Sequence, residues 1–200
     1  WEEDYDWQDL KQQLEDHNKL YYTINYKDIA GIQRQDILSW DKAEELVRLC
    51  EFWSKKYDYV VGNPPYGSKL SDDSLKKYYM NTYSDVHMRT IDVYNYFISR
   101  ASKELKGKLG IIIPNSLLTQ YEYTKCRKYL LDSFAIKTII YLGENVFEDN
   151  SYPTMILIIE NLIDLNNEIH LLDVSDCANN YEKKIKIDNI DKLSLKTKQS

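Results

Sequence analysis

Two prolines in succession, Pro64-Pro65, stand directly after the run Tyr57-Asp58-Tyr59-Val60-Val61-Gly62. The run is aromatic and β-branched, which is the composition of a buried strand. A proline has no N–H for a sheet ladder, so the strand must end where the prolines begin. Three more apolar runs share this character: residues 109–114, 136–142 and 154–160. Residues 92–105, with Tyr96, Phe97, Ala101 and Leu105 along one side, read as a strong helix, and residues 121–133 as another. The continuous apolar stretch Leu109-Gly110-Ile111-Ile112-Ile113-Pro114 suits a parallel strand covered on both faces. Strands alternating with helices predict a three-layer α/β fold.

The flanking segments are less regular. Residues 5–20 predict an amphipathic helix with Trp7, Leu10, Leu14 and His17 at helical spacing. Residues 32–38 read as a short strand. Asp41, with Glu44 three residues on, reads as the N-cap of a helix reaching about Lys55. Residues 67–90 read as a long loop with a helical turn near 74–80, and Lys106-Gly107-Lys108 as a turn. The chain turns polar after Asn161. The resulting division is a helical lead-in over 1–30, a main body over 31–174, and a polar linker or the start of a further module over 175–200.

Composition narrows the function classes. A length of 200 residues suits one domain or slightly more. No run of about 18 apolar residues exists, so no membrane partner is expected. The start, Trp1-Glu2-Glu3-Asp4, has neither Met nor a basic stretch, and reads as a cut end without a signal peptide. Cys50, Cys126 and Cys177 are far apart and odd in number, which points to a reducing, cytoplasmic setting. Residues 1–62 hold 14 Asp/Glu against 8 Lys/Arg, and the rest hold 18 of each, so the net charge of −6 lies in the first third. Neither part has the basic stripe of a self-sufficient nucleic-acid binder. His17, His87 and His170 share no ligand spacing with one another or with the cysteines, so no metal is expected and each histidine reads as structural. The pairs Glu44-Glu45 and Asp72-Asp73 read as solvated faces or caps. Lys76-Lys77-Tyr78-Tyr79 reads as a surface helix, with phosphate binding as the alternative.

Asn63-Pro64-Pro65-Tyr66 is the segment with chemistry in it. Strand ends in open α/β sheets are where ligands bind. Asn63 and Pro64 both precede a proline and are held extended. Two fixed acceptors, the Asn63 side-chain oxygen and the Pro64 carbonyl, match an –NH2 group with two hydrogens to donate. Tyr66 is placed to stack on the planar group that carries the amine. The alternative is a rigid turn with an aromatic plug.

At these residues the chain resembles the amino-group methyltransferases that use S-adenosylmethionine, and among them the adenine-N6 DNA methylases of type IIG and type I restriction-modification systems. The resemblance runs from about Gln33 to Glu160. Asp36-Ile37-Leu38-Ser39-Trp40 is similar to the acidic strand end at the cofactor's adenine. Asp92-Val93-Tyr94-Asn95-Tyr96-Phe97 is similar to the helix lining the cofactor pocket. Gly110-Ile111-Ile112-Ile113-Pro114-Asn115-Ser116 matches the strand-turn that follows. Leu142-Gly143-Glu144-Asn145-Val146-Phe147 resembles the loop whose phenylalanine stacks on the target base.

The resemblance implies a Rossmann-like methyltransferase fold in which Asn63, Pro64, Pro65 and Tyr66 are catalytic. It implies that Asp36, Ile37, Asn63, Asp92 and Tyr94 bind S-adenosylmethionine, and that Tyr66 and Phe147 hold a flipped adenine. Double-stranded DNA is the implied partner. One family feature is missing: the six glycines form no GxG, so the glycine-rich cofactor loop and the strand before it are absent from these residues. The expectation is therefore the catalytic half of a methylase, in a longer protein that carries the cofactor loop and a target-recognition domain, with weak or absent cofactor binding by this segment alone. Alternatives that share the tetrapeptide are protein-glutamine and RNA amino-group methyltransferases. A non-catalytic domain of methylase shape is the alternative from another class.

Overall fold

A computed structural model describes residues 5–16, 19–28, 30–67, 72–89, 92–144, 146–147, 152–164 and 166–199. They fall into two compact units, one within Trp1–Lys56 and Asp72–Tyr78, the other within Tyr57–Ser71 and Tyr79–Ser200. The division expected after residue 30 thus falls after Lys56 instead.

The first unit begins with helix α1 (Trp7–Leu14), followed by strands β1 (Tyr22–Lys27) and β2 (Gln33–Leu38) and helix α2 (Trp40–Ser54). β1 and β2 form an antiparallel two-stranded sheet of their own. Tyr22 and Ile24 alternate with half-exposed residues and pack with Leu10, Ala43 and Val47 into a small core. The Asp28 carboxylate closes the hairpin by accepting from the Ala30 and Ile32 amides, both at 2.9 Å. The strand containing Asp36 pairs with β1, a strand the sequence reading had missed. The cap of α2 is Ser39, two residues before the expected Asp41. The expected helical turn near residues 74–80 is helix α3 (Asp73–Thr82).

The second unit holds a six-stranded mixed sheet. Its strands are β3 (Tyr57–Gly62), β4 (Leu105–Pro114), β5 (Ala135–Gly143), β6 (Thr154–Glu160), β7 (Glu168–Asp173) and β8 (Leu195–Lys198), in the order β3-β4-β6-β5-β7-β8. β3–β4 and β5–β7 are parallel, and the inserted β6 runs antiparallel to both neighbours. Leu109, Ile111 and Ile113 of β4, with Met155, Leu157 and Ile159 of β6, share one core with Tyr94 and Ile98 of α4 (Tyr94–Lys103), Leu117 of α5 (Ser116–Thr119) and Leu130 of α6 (Thr124–Ser133). The alternate residues Ile112 and Ile156 pack on the other core, with Ile140, Leu142, Leu172 and Val174. That side is closed by Ile187 of α7 (Asn180–Asp188) and Ile190 of α8 (Ile190–Leu193). The strand period of two thus places apolar residues on both faces and produces three layers.

Three expectations change here. β3 is an edge strand among the described residues, and Tyr59 and Val61 are 77% and 85% exposed instead of buried. Lys106-Gly107-Lys108 is strand, not turn. A Cβ on Gly107 would lie 2.3 Å from the Asp58 carbonyl oxygen, at the point where the β3–β4 register shifts. The glycine therefore serves a bulge and a close strand approach. Residues 175–199 are not a linker: they form α7, α8 and β8, and β8 pairs with β7.

Candidate active site

β3 and β4 are parallel, so the loops after Gly62 and after Pro114 emerge at the same end of the sheet. β6 is antiparallel and pairs Thr154 with Pro114, so the turn that enters β6 lies there too. These three segments, with the one that enters the helix beginning at Tyr94, enclose a cavity of about 260 Å³, lined among others by Tyr66, Asp92, Asn115, Ser116 and Tyr152. The Asn115 amide donates to the Pro153 carbonyl at 3.0 Å and ties two of the segments together.

Pro64 is buried and anchors the tetrapeptide, while Asn63 and Pro65 are exposed and Tyr66 is half-buried. The Tyr66 hydroxyl lies 2.7 Å from Asn63 Oδ1 and 2.9 Å from the Ile112 carbonyl oxygen. Burial pushes the Tyr66 phenol up to about 12, so at neutral pH it is a donor. The ring therefore orients the Asn63 carboxamide and pins the loop to β4. Gly67, at φ 66°, donates its amide to Asp92 Oδ2 at 2.6 Å, which fastens the end of the loop to the segment entering α4. Asp92 Oδ1 is buried and has no hydrogen-bond partner among the described residues. An unpaired buried carboxylate oxygen in a cavity wall is a site for a ligand donor.

The candidate residues do not all meet here. Asn63, Pro64, Pro65, Tyr66 and Asp92 lie in one unit at one end of the sheet. Tyr94 was expected on the cofactor pocket, but it is fully buried beneath the cavity. Its hydroxyl is 3.3 Å from Ser116 Oγ and its ring 5.5 Å from Tyr123, both cavity-lining residues. Desolvation raises its pKa strongly, so it supports the wall as a neutral phenol. Asp36 and Ile37 belong to the first unit. Asp36 accepts the Tyr26 hydroxyl at 2.9 Å, and Ile37 is 71% exposed. Phe147 is half-buried and not among the cavity-lining residues, whereas Tyr152 is.

Sequence reasoning missed Tyr152. The available signal was Tyr152-Pro153 ahead of a β-branched strand, the same pre-proline restraint that singled out Asn63. A larger cavity of about 620 Å³ sits between the ends of β5 and β7 and α7, and none of its lining residues comes from the Asn63 loop.

The remaining candidates take structural places. Tyr79 packs against Tyr83 and Tyr96, with ring centroids 5.5 and 4.9 Å away. Lys76 pairs with Asp73 at 2.8 Å, and Asp72 accepts the Leu75 amide at the start of α3. His87 Nδ1 is 2.8 Å from the Tyr96 hydroxyl, and His170 Nδ1 is 2.9 Å from Ser194 Oγ. His17 lies outside the described residues.

With this arrangement in view, comparison with known proteins is decisive. A model of the family described as "Eco57I restriction-modification methylase" matches residues 3–147. The chain belongs to that family. A type II methyltransferase of Geobacillus stearothermophilus, M.BstVI, is 31% identical over 157 residues, covering 74% of this chain and 26% of that protein. A type II restriction enzyme and methyltransferase of Methanocaldococcus jannaschii is 36% identical over 109 residues, 52% of this chain and 8% of its own length. The chain thus spans a small part of each relative.

Among solved structures, the methyltransferase subunit of a type I restriction-modification system from Streptococcus thermophilus matches with a TM-score of 0.55 and 24% identity, over 69% of this chain and 32% of that one. A class I S-adenosylmethionine-dependent methyltransferase from Listeria monocytogenes matches at 0.54 and 20%, over 69% and 43%. The chain therefore shares the Rossmann-like fold of these methyltransferases. Among the described residues no helix is long and apolar enough to cross a membrane.

Proposed function

We propose that this chain is the catalytic segment of a site-specific DNA adenine-N6 methyltransferase of a restriction-modification system. The observation that carries the reading is the Asn63 side-chain oxygen, held at the strand ends by the hydroxyl of Tyr66, a residue that itself lines a cavity there. In this reading Asn63 Oδ1 and the Pro64 carbonyl accept the two amino hydrogens of an adenine turned out of the duplex. The contact favours a pyramidal nitrogen and directs its lone pair, and the Tyr66 ring covers the base. Catalysis is positioning and electrostatics, and no side-chain base is required, because the amino proton leaves after transfer.

Bound S-adenosylmethionine would supply an activated methyl group on a sulfonium. The site fits such a cofactor at one point, the unpaired Asp92 Oδ1, which is an acceptor for its hydroxyl or ammonium donors. The glycine loop would come from elsewhere in the protein. Support for this comes from the absence of any GxG among the six glycines and from the bare outer face of β3. Asp36 and Ile37 at the cofactor's adenine, and Phe147 at the target base, are carried by the family resemblance alone. DNA is the proposed partner, with a target-recognition domain in the same protein, and the cytoplasm the proposed setting. The odd number and wide spacing of Cys50, Cys126 and Cys177 are in keeping with that setting.

The test is Asn63→Ala in the protein that carries this chain. Methylation of unmethylated duplex DNA, read as N6-methyladenine by mass spectrometry, should fall roughly 10²-fold or more while DNA binding is kept. Turnover retained at about a tenth of wild type or above would remove the role assigned to Asn63.

A further inference from the structure

Tyr152 has no role in any motif, yet the fold gives it a defined place. It lies in the turn entering β6 and is 60% exposed. Its backbone is nevertheless fixed on the downstream side: the Pro153 carbonyl accepts the Asn115 amide at 3.0 Å, and Thr154 pairs with Pro114. Standing before Pro153, Tyr152 is also biased to an extended backbone. A large ring so held and so little covered lines the cavity that Tyr66 also lines.

Sheet order gives the scale. The Tyr66 hydroxyl reaches the Ile112 carbonyl, so the tip of that ring lies at β4. β6 is the next strand, about 4.8 Å away, and β5, which leads into Phe147, is one spacing further. The cavity, about 260 Å³, is smaller than the roughly 300–1,000 Å³ of sites for drug-sized ligands. A single planar ring is within the size of ligand such a cavity can take.

We propose that Tyr152 is a further aromatic contact of the target base, covering the ring that enters the cavity beside Tyr66 and Asn63. The proposal rests on the methylase reading and adds a substrate-contacting residue to it. Tyr152 combines an aromatic ring, 60% exposure and a place in the cavity lining.

Tyr152→Ala, Tyr152→Leu and Tyr152→Phe, made in the protein that carries this chain, test it. Transfer from labelled S-adenosylmethionine into unmethylated bacterial genomic DNA is measured against the concentration of each substrate. The Ala and Leu variants should raise KM for DNA roughly ten-fold or more, the scale of a lost base–aromatic stack, with KM for S-adenosylmethionine unchanged. The Phe variant should stay within about two-fold of wild type, since stacking needs the ring and not the hydroxyl. An unchanged KM for DNA in the Ala and Leu variants overturns the proposal, as does a change that falls on KM for S-adenosylmethionine. Should the Ala variant lose its fold, the Leu variant, which keeps the apolar bulk, decides. Failure of the methylase reading is distinguishable: wild-type protein would then place no N6-methyladenine in the same DNA.

Discussion

The Tyr66 hydroxyl has one proton and two acceptors in reach, Asn63 Oδ1 and the Ile112 carbonyl. It can serve one fully or both weakly. Tyr66→Phe removes this tie and leaves the ring, so unfolding stability should drop by about 1 kcal/mol, measured by urea titration. Turnover should fall several-fold as the Asn63 carboxamide loses its orientation. The pH dependence follows from the phenol, raised by burial from 10.0 to about 12. A raised folded-state value favours the protonated form, so the Tyr66 contribution is complete below pH 10 and is lost as pH rises toward 12. The stability difference between wild type and Tyr66→Phe should therefore shrink across that window. The restraint on Asn63 and on the loop that carries Tyr66 was legible in the sequence because prolines restrict their neighbours whatever the fold. Their mutual hydrogen bond was not, because it depends on where β4 places the Ile112 carbonyl.

Helix α7 shows what an element contributes. Its Lys183 is only 7% exposed, and its ammonium donates to the Leu142 carbonyl at 2.6 Å. Asn180 donates to the Val146 carbonyl at 3.4 Å. The helix is thus tied to both ends of the segment leading from β5 to Phe147. Lys183→Met keeps the apolar stem and removes the charged donor, leaving the Leu142 carbonyl without that partner. It should cost about 1–3 kcal/mol, read from the shift in the urea midpoint at unchanged slope. A midpoint at or above that of wild type would mean that desolvating the ammonium outweighs the bond, as buried charges sometimes do.

For the whole molecule the decisive segment is the one that reads as a linker. Gln199 donates to the Leu131 and Phe134 carbonyls at 3.0 and 2.7 Å and accepts from the Ile136 amide at 2.8 Å. Ile187 and Ile190 cover the core formed by Ile140, Leu142, Leu172 and Val174. Ending the chain at Val174 would uncover several apolar side chains at about 1.5–3 kcal/mol each, comparable to the stability of a whole domain. The shortened chain should lose its cooperative thermal transition in circular dichroism, or be recovered insoluble. A melting curve matching that of the 200-residue chain would restore the linker reading.

The strands of the main sheet before residue 161 were readable because each is a short apolar run rich in β-branched or aromatic residues and bounded by proline, glycine or a helix, and that combination favours strand over buried helix. The stiffness of Asn63-Pro64-Pro65-Tyr66 was readable for a related reason: proline sets backbone conformation locally. What the sequence left open depended on distant partners. The segment over 175–199 is polar and lies far along the chain, and only its docking on β5 and β7 makes it part of the domain. Asp36 sits on a strand by its local pattern, but pairing with β1 puts that strand in a separate unit. Tyr94 lies in a motif, yet the packing of α4 turns its ring inward. Tyr152 joins the cavity because β6 is inserted antiparallel next to β4, and strand order is a property of the assembled sheet, invisible to any local window of residues.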